Sequence, residues 1–364
     1  MKCLTVLVCF ALTAGSHYSP GQELPGHRLT DFIHANETFG ETLFRQVHAA
    51  NANGNAIISP LPTYYILGAI GRGSSISETG REIWHVLGWD NGVVPIGPSR
   101  LLFERFRPDF SSEPKPSPSS RGSRKEVHVR SSLLRSRESM WMATAFIYRG
   151  RNAIDDYFIR EANGEFGMQM VNVAERGDLE PAIERWWKEQ IPRPAVIGPS
   201  DFYAVGTMHL QTVWAGNTFS KSTTHKDDFI LRSGVHESVD MMPSALSSYS
   251  HVRTDTFEAA MLRCFAVDLL IVLPAEGKDI LQLETELANH PGEVDPLLKR
   301  EPGTIDLPKF AFQLEADLRP ALEELGVHRI FTDLDIVNIP KSHLKEMKQR
   351  VDIEVDEEGM RANA

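Results

Sequence analysis

Cysteine is scarce in this sequence, with three among 364 residues. Cys3 and Cys9 lie within residues 1–16, a segment with the features of a removable leader, so the mature chain would keep only Cys264. A single cysteine excludes an internal disulfide, and we expect Cys264 to be a core thiol. The stability of the fold must therefore come from a hydrophobic core.

Positive charge is also in short supply. The 38 lysine and arginine residues are outnumbered by 49 aspartate and glutamate residues, and the formal net charge is -11. Nucleic-acid phosphates would repel such a chain at long range. The composition therefore argues against a protein that binds nucleic acid with its whole surface.

No hydrophobic run is long enough to span a bilayer. The longest run near the N-terminus covers residues 4–12, with Lys2 before it and Ala14 and Ser16 after it. This pattern is typical of a secretory signal peptide, whereas the alternative, a buried N-terminal strand, is less favoured. We expect residues 1–16 to be a signal peptide and the protein to be secreted and extracellular. The sequon Asn36-Glu-Thr would then be open to glycosylation.

Motifs for catalysis and cofactor binding are absent. The sequence has no Gly-x-Ser-x-Gly nucleophile elbow, no Cys-x-x-Cys pair and no glycine-rich phosphate loop. His236-Glu237 lacks the second histidine of a zinc-protease motif. A hydrolase would need a serine or histidine that the sequence does not single out. We therefore expect no enzyme activity, no metal and no organic cofactor.

The periodicity of the apolar residues predicts a mixture of helices and strands. Helices are predicted over residues 29–47, 60–70, 154–166, 183–189 and 318–325, and another begins with a capping box at Thr79 and Glu82. Strands are predicted at residues 140–148, 168–173, 267–273 and 351–355, and residues 304–312 alternate around Pro308, which favours an edge or a bulge. Because no strict βαβ alternation is present, the fold class is α+β.

Several segments, in order along the chain, resemble the serpin family of serine protease inhibitors. They are Asn55-Ala-Ile-Ile-Ser-Pro-Leu, Ile183-Glu-Arg-Trp-Trp, Val239-Asp-Met-Met, Ile271-Val-Leu-Pro, Leu307-Pro-Lys-Phe, Leu325-Gly-Val and Ile353-Glu-Val-Asp-Glu-Glu-Gly. The resemblance implies one domain, residues 17–364, in which three β-sheets are surrounded by about eight or nine helices. It also implies a monomer that traps an extracellular serine protease: the protease cleaves a reactive-centre loop, which then inserts into the main sheet.

The resemblance places the hinge of that loop at residues 355–364. The residues it assigns to the hinge are Glu357, Glu358, Gly359, Met360, Arg361, Ala362, Asn363 and Ala364. Their alternation predicts that Met360, Ala362 and Ala364 point into the sheet and that the residues between them point out. Inhibitory serpins usually have a small residue at the position of Met360 and an acidic one at Arg361. We therefore expect insertion to be slowed rather than forbidden, and a non-inhibitory carrier, chaperone or storage serpin is the alternative.

Other positions also depart from the family pattern. The positions that resemble the shutter, which controls opening of the main sheet, are Ser59, Pro62, Leu210 and Gln349. Fewer hydrogen-bond donors at these positions make controlled opening doubtful. This departure also favours the non-inhibitory alternative.

The sequence ends at the hinge, whereas the resemblance implies a scissile bond and further strands beyond it. We therefore expect the C-terminal strands of the fold to be missing and their neighbours to expose unpaired backbone groups. Either the sequence is part of a longer protein, which we favour, or the product is a degenerate serpin. The target protease cannot be deduced because its specificity would come from residues beyond Ala364.

Residues 111–137 form a basic, serine- and proline-rich segment that we expect to be a flexible insert. The family normally has a helix there, so the segment could instead be an error in the gene sequence. Its cations could bind a sulfated polysaccharide, although a solvated loop is the simpler explanation. They are Arg121, Arg124, Lys125, Arg130, Arg135 and Arg137.

Overall fold

The fold is known from a computed structural model. It describes residues 26–50, 54–74, 77–89, 139–149, 154, 156–173, 179–190, 202–231, 234–265, 267–290, 292–333 and 343–364. The expected signal peptide and the basic insert lie outside these residues. The expectations for both segments stay predictions.

Seven α-helices lie in the described part of the chain. They are α1 (Gly26–Ala50), α2 (Pro60–Gly73), α3 (Glu78–Val86), α4 (Asp156–Phe166), α5 (Leu179–Gln190), α6 (Ile280–Asn289) and α7 (Arg319–Glu324). Pro60 begins α2 because its fixed φ suits a first turn and its missing N–H costs no helical hydrogen bond. The hydroxyl of Ser77 caps α3 by accepting from the Gly80 N–H at 3.3 Å. The predicted capping box at Thr79 is therefore wrong in position.

The same residues contain thirteen β-strands. They are β1 (Ser139–Arg149), β2 (Gln169–Val173), β3 (Phe202–Val213), β4 (His225–Ile230), β5 (His236–Pro243), β6 (Ser248–Arg253), β7 (Phe257–Leu262), β8 (Leu269–Pro274), β9 (Lys299–Pro302), β10 (Asp306–Pro308), β11 (Phe310–Asp317), β12 (Lys348–Val355) and β13 (Gly359–Asn363).

These strands form three sheets, which confirms the α+β class. The main sheet has the order β11-β12-β13-β3-β1-β2, and the other two are β10-β5-β4 and β8-β7-β6-β9. All neighbours are antiparallel except β1 and β2. Pro308 lies where the predicted alternating segment divides, so β10 and β11 enter different sheets, each as an edge strand.

The expectation that the C-terminal strands are missing is wrong. β12 and β13 are both present and lie inside the main sheet. β13 fills the space between β3 and β12, where we expected unpaired strand edges. Residues 352–355 and 209–213 therefore find their cross-strand partners in β13.

The core lies on both faces of the main sheet. On one face α2 is buried along nearly its whole length, with Tyr65, Leu67 and Ile70 at 0% exposure. On the other face Ile183 and Trp186 of α5 pack against Ala145 and Tyr203 of the sheet. The main sheet is thus the middle layer, and β13 is one of its interior strands.

Candidate functional site: the hinge strand and its slot

The acidic residues predicted to begin the hinge form a tight turn between β12 and β13. The Asp356 carboxylate accepts from the N–H groups of Glu358, at 2.7 Å, and Gly359, at 3.2 Å. The Asp356 N–H donates to the Gly359 carbonyl at 3.0 Å. This turn reverses the chain so that β13 returns alongside β12.

Two lysines hold the outer side of the turn. Lys309 Nζ lies 2.9 Å from Glu357 Oε2, and Lys221 Nζ lies 2.7 Å from Glu358 Oε1. Thr224 also donates to Glu357, at 2.8 Å. Burial tends to raise the pKa of Glu357, but the bonds from Lys309 and Thr224 outweigh it and hold that pKa below its usual range. The glutamate is therefore charged when the turn is formed.

Trp214 fixes the inner side of the turn. Its indole Nε1–H donates to the Asp356 carbonyl at 2.8 Å. The ring is 3% exposed and meets Phe219 edge to face, with the centroids 5.2 Å apart. The Trp214 hydrogen bond therefore ties the turn to the core.

β13 shows the predicted alternation of inward and outward side chains. Met360 and Ala362 are 1% and 8% exposed, whereas Arg361 is exposed and pairs with Glu354 at 3.0 Å. Met360 packs in a cluster that contains Leu210 and Val355. Because the Met360 side chain is unbranched and uncharged, it fills its place in this cluster without burying a charge.

Gly359 begins β13 at a point of close backbone approach. A Cβ atom at this position would lie 2.0 Å from the carbonyl oxygen of Thr212 on β3. No side chain can be placed there without moving one of the strands. Glycine is therefore required at the start of β13.

The structure brings together two of the shutter-like residues. The Gln349 side chain accepts from the Ser59 N–H and donates to the Ser59 carbonyl, both at 2.7 Å. Leu210 pairs in register with Ala362 and is 1% exposed, and Pro62 is buried in α2. Gln349 thus links β12 to the backbone just before α2, a connection that the sequence comparison did not foresee.

Asn36, the expected glycosylation site, lies in the middle of α1. Its Nδ2 atom is buried and has no hydrogen-bond partner. A glycan would need this nitrogen to face solvent, so the local geometry opposes attachment. Glycosylation of Asn36 stays a prediction.

Several residues of the site were missed in the sequence: Lys221, Thr224, Lys309 and the indole of Trp214. Lys309 lies in the Leu-Pro-Lys-Phe segment, and an acidic turn followed by a buried strand needs cations nearby. The acidic turn itself therefore indicates that cations lie nearby, but it does not say which of the 38 lysine and arginine residues they are.

Within the described ranges, no cluster of three histidine, cysteine, aspartate or glutamate side chains could hold a metal ion. Nor does any helix there combine the length and apolar character needed to cross a membrane. Cys264 is buried, as expected of a core thiol.

A main sheet in which an acidic turn leads into an interior strand agrees with the serpin fold. The chain belongs to the serpin family: the family model described as Serpin (serine protease inhibitor) matches residues 34–364. This family consists in general of protease inhibitors and not of enzymes.

Individual relatives agree with this assignment. The chain is 23% identical to Serpin A3-6 of Bos taurus over 353 residues, 92% of this chain and 78% of the relative. Reaction-loop-cleaved lamprey angiotensinogen superposes with a TM-score of 0.74 at 19% identity, covering 92% of this chain and 97% of that chain. Reactive-loop-cleaved human thyroxine-binding globulin gives 0.72 at 16% identity, with 92% and 96% covered. At these identities the two structures show the fold alone.

Proposed function

We propose that the protein is secreted and inhibits an extracellular serine protease as a single-use pseudo-substrate. The observation that supports this proposal most directly is the position of β13. Residues just after the hinge turn lie between β3 and β12, with apolar side chains inside and polar ones outside. A loop that can take this place in the sheet has the property that trapping by insertion requires.

In the proposed reaction the protease cleaves a bond of the loop, and this chain supplies the loop and its insertion into the sheet. The protease serine oxygen bonds to the carbonyl carbon of a loop residue, the peptide C–N bond breaks, and the leaving amine takes a proton. The ester that remains ties the protease to the residues that follow β13. Insertion then carries the protease away along the sheet, and the backbone pairing and apolar burial that β13 gains stabilise the inserted state.

Complex formation tests the proposal. The secreted protein is mixed with trypsin-like, chymotrypsin-like and elastase-like proteases, and complexes that survive denaturing detergent are counted. Ala362→Arg would place a charge on the inward face, which costs several kcal/mol, and should turn the inhibitor into a substrate. Arg361→Gln on the outward face is the control and should leave trapping unchanged. Cleavage of the wild-type loop by these proteases without any covalent complex would contradict the proposal.

A second candidate is a non-inhibitory serpin with a carrier, chaperone or storage role. The bulk of Met360 and the apolar Leu210 at a shutter position favour it. One structural neighbour is named for binding thyroxine, which supports a carrier role as a possible use of this fold. The change in melting temperature on loop cleavage separates the candidates, because an inserting loop should raise it strongly and a non-inserting loop should not.

Secretion and polysaccharide binding are further parts of the proposal. Secretion predicts a mature chain that begins after residue 16. The intact mass of the exported protein tests this and also shows whether a glycan is attached at Asn36. Polysaccharide binding predicts salt-sensitive retention on a heparin column. Deletion of residues 111–137 should abolish that retention if the six basic residues of the insert are responsible.

A further inference from the structure

The end of β13 farthest from the acidic turn meets His209 of β3, whose ring is already held by β1. The His209 ring stacks on Trp141 of β1, with centroids 5.5 Å apart and an interplanar angle of 25°. Its Nε2 lies 2.9 Å from the hydroxyl oxygen of Ser139, also on β1. Since β1 pairs directly with β3, these contacts do not depend on β13. The ring is therefore oriented before the strand arrives.

The other ring nitrogen points at β13. His209 Nδ1 lies 2.7 Å from Asn363 Oδ1. The amide oxygen is an acceptor, so Nδ1 carries the proton, and Nε2 then accepts from the Ser139 hydroxyl. One neutral tautomer of the imidazole thus satisfies both partners. This arrangement fits asparagine at position 363 and would leave Nδ1 without an acceptor if an aliphatic residue stood there.

A second side chain of β3 holds the residue next to Asn363. The Thr207 hydroxyl donates to the carbonyl of Ala364 at 2.7 Å, and Thr207 is 0% exposed. Met208 and Ala364 exchange backbone hydrogen bonds of 2.8 and 2.9 Å. Side chains of β3 therefore hold the C-terminal end of β13, its leading end, in addition to the backbone hydrogen bonds of the sheet.

We infer that His209, assisted by Thr207, is a latch that captures the leading end of β13 when the strand enters the main sheet. His209 is a positioning residue: it acts on Asn363 and not on a protease. Its role in trapping rests on the proposed function, whereas the contact itself can be tested separately. The latch makes position 363 selective for a side chain with a hydrogen-bond acceptor.

Hydrogen exchange at the amides of residues 362–364, followed by mass spectrometry on the loop-cleaved protein, in which β13 should lie in the main sheet, tests the latch. His209→Phe keeps an aromatic ring on Trp141 but removes both nitrogens. We expect it to speed exchange at these amides roughly threefold to tenfold, the effect of losing about one net hydrogen bond. Asn363→Ala should have the same effect, and the double variant should exchange no faster than either single variant. Thr207→Val should also speed exchange there.

Two further variants show whether the effect is specific. Asn363→Asp keeps an acceptor for Nδ1 and should retain the wild-type protection. His251→Phe, on β6 of another sheet, is the matched control and should change nothing at residues 362–364. The latch would be overturned by unchanged exchange in His209→Phe or by additive effects in the double variant. It would also be overturned by equal acceleration of exchange along β1, or by a wild type without protection at these amides.

The outcome for inhibition is read separately. If the exchange pattern is as expected and no protease complex forms, the latch stands and the inhibitory proposal fails. If complexes form and the exchange rates at residues 362–364 do not change in His209→Phe, inhibition stands and the latch is wrong. If both hold, His209→Phe should also increase the fraction of molecules that are cleaved without trapping the protease.

Discussion

At the scale of single residues, the most unusual environment belongs to acidic groups on α1. Burial raises the pKa of Glu41 to about 8, and the neighbouring carboxylate of Glu37 adds to the effect. The Oε2 atom of Glu41 is buried without a hydrogen-bond partner. Burial also raises the pKa of Glu37. Glu41 is thus held protonated at neutral pH.

The pH dependence of stability follows from this environment. Between about pH 4.5 and 8 the folded chain keeps a proton on Glu41 that the unfolded chain has released. The free energy of unfolding should therefore fall as the pH rises through this window. Glu41→Gln removes the titration and should raise the free energy of unfolding at pH 7.5 by at most ~4 kcal/mol. Denaturant titrations at pH 5, 6.5 and 8 measure the effect.

The control for Glu41 is an exposed glutamate. Glu286→Gln lies on the solvent face of α6 and should not alter the slope with pH. A pH slope in Glu41→Gln equal to that of the wild type would show that another group is responsible.

Gly359 gives a second prediction at this scale. In Gly359→Ala the new methyl group would meet the Thr212 carbonyl, so β13 should leave the sheet or push β3 away, at a cost of about 2 kcal/mol or more. Limited proteolysis should then cut near residues 356–364. Gly234→Ala is the control: its φ is +80° and its Cβ would meet nothing within 4 Å, so only backbone strain is added. Equal protease resistance in both variants would contradict the steric explanation.

At the scale of elements, the contact between α2 and α4 depends on a small residue. A Cβ atom on Gly68 of α2 would lie 2.5 Å from a ring carbon of Phe166, at the end of α4. Phe166 is 1% exposed, so its ring has little room to move. Arg72 reinforces the contact from the side, with its Nη2 atom 3.0 Å from Glu161 Oε2.

Paired alanine substitutions test this helix contact. Gly68→Ala should destabilise the fold by ~1–3 kcal/mol because it overpacks the contact. Gly164→Ala in α4 meets nothing within 4 Å and should stabilise by up to about 1 kcal/mol through helix propensity. Thermal unfolding of the two variants measures both effects. A Gly68→Ala variant as stable as the wild type would mean that the helices separate easily.

The elements also show what the sequence can predict. α1, α4, α5 and α7 were predicted from the apolar pattern within each segment. α2 was predicted because Ser59 and Pro60 suit the start of a helix. β4 to β7 were not foreseen: β4 is largely exposed and β6 partly buried, so their side chains show little hydrophobic alternation. α6 was missed as well. β4 pairs with β5, and β6 pairs with β7, so each has the next strand along the chain as a partner. The weak alternation, and not the distance to the partner, is why these strands were not predicted.

At the scale of the whole molecule, distance along the chain separates the predicted parts of the site from the unforeseen ones. The inward direction of Met360 and Ala362 was predicted because side chains in a strand alternate every two residues, a pattern that can be seen within a short segment. Lys221 and His209 were missed because 137 and 154 positions separate them from Glu358 and Asn363. The C-terminal strands were expected to be missing because the resemblance implies further strands beyond the hinge, whereas β12 and β13 are both present and the hinge residues form β13.

This long-range pairing has a consequence for the order in which the chain folds. β13 lies between β3, more than 140 positions earlier, and β12, its neighbour in sequence. Closing the larger loop costs entropy before the new ladder contributes any stability, so nonlocal pairs form slowly. The hairpin of β12 and β13 should appear early and dock on β3 last. In pulse-labelling during refolding, the amides of residues 142–148 should become protected before those of residues 360–364.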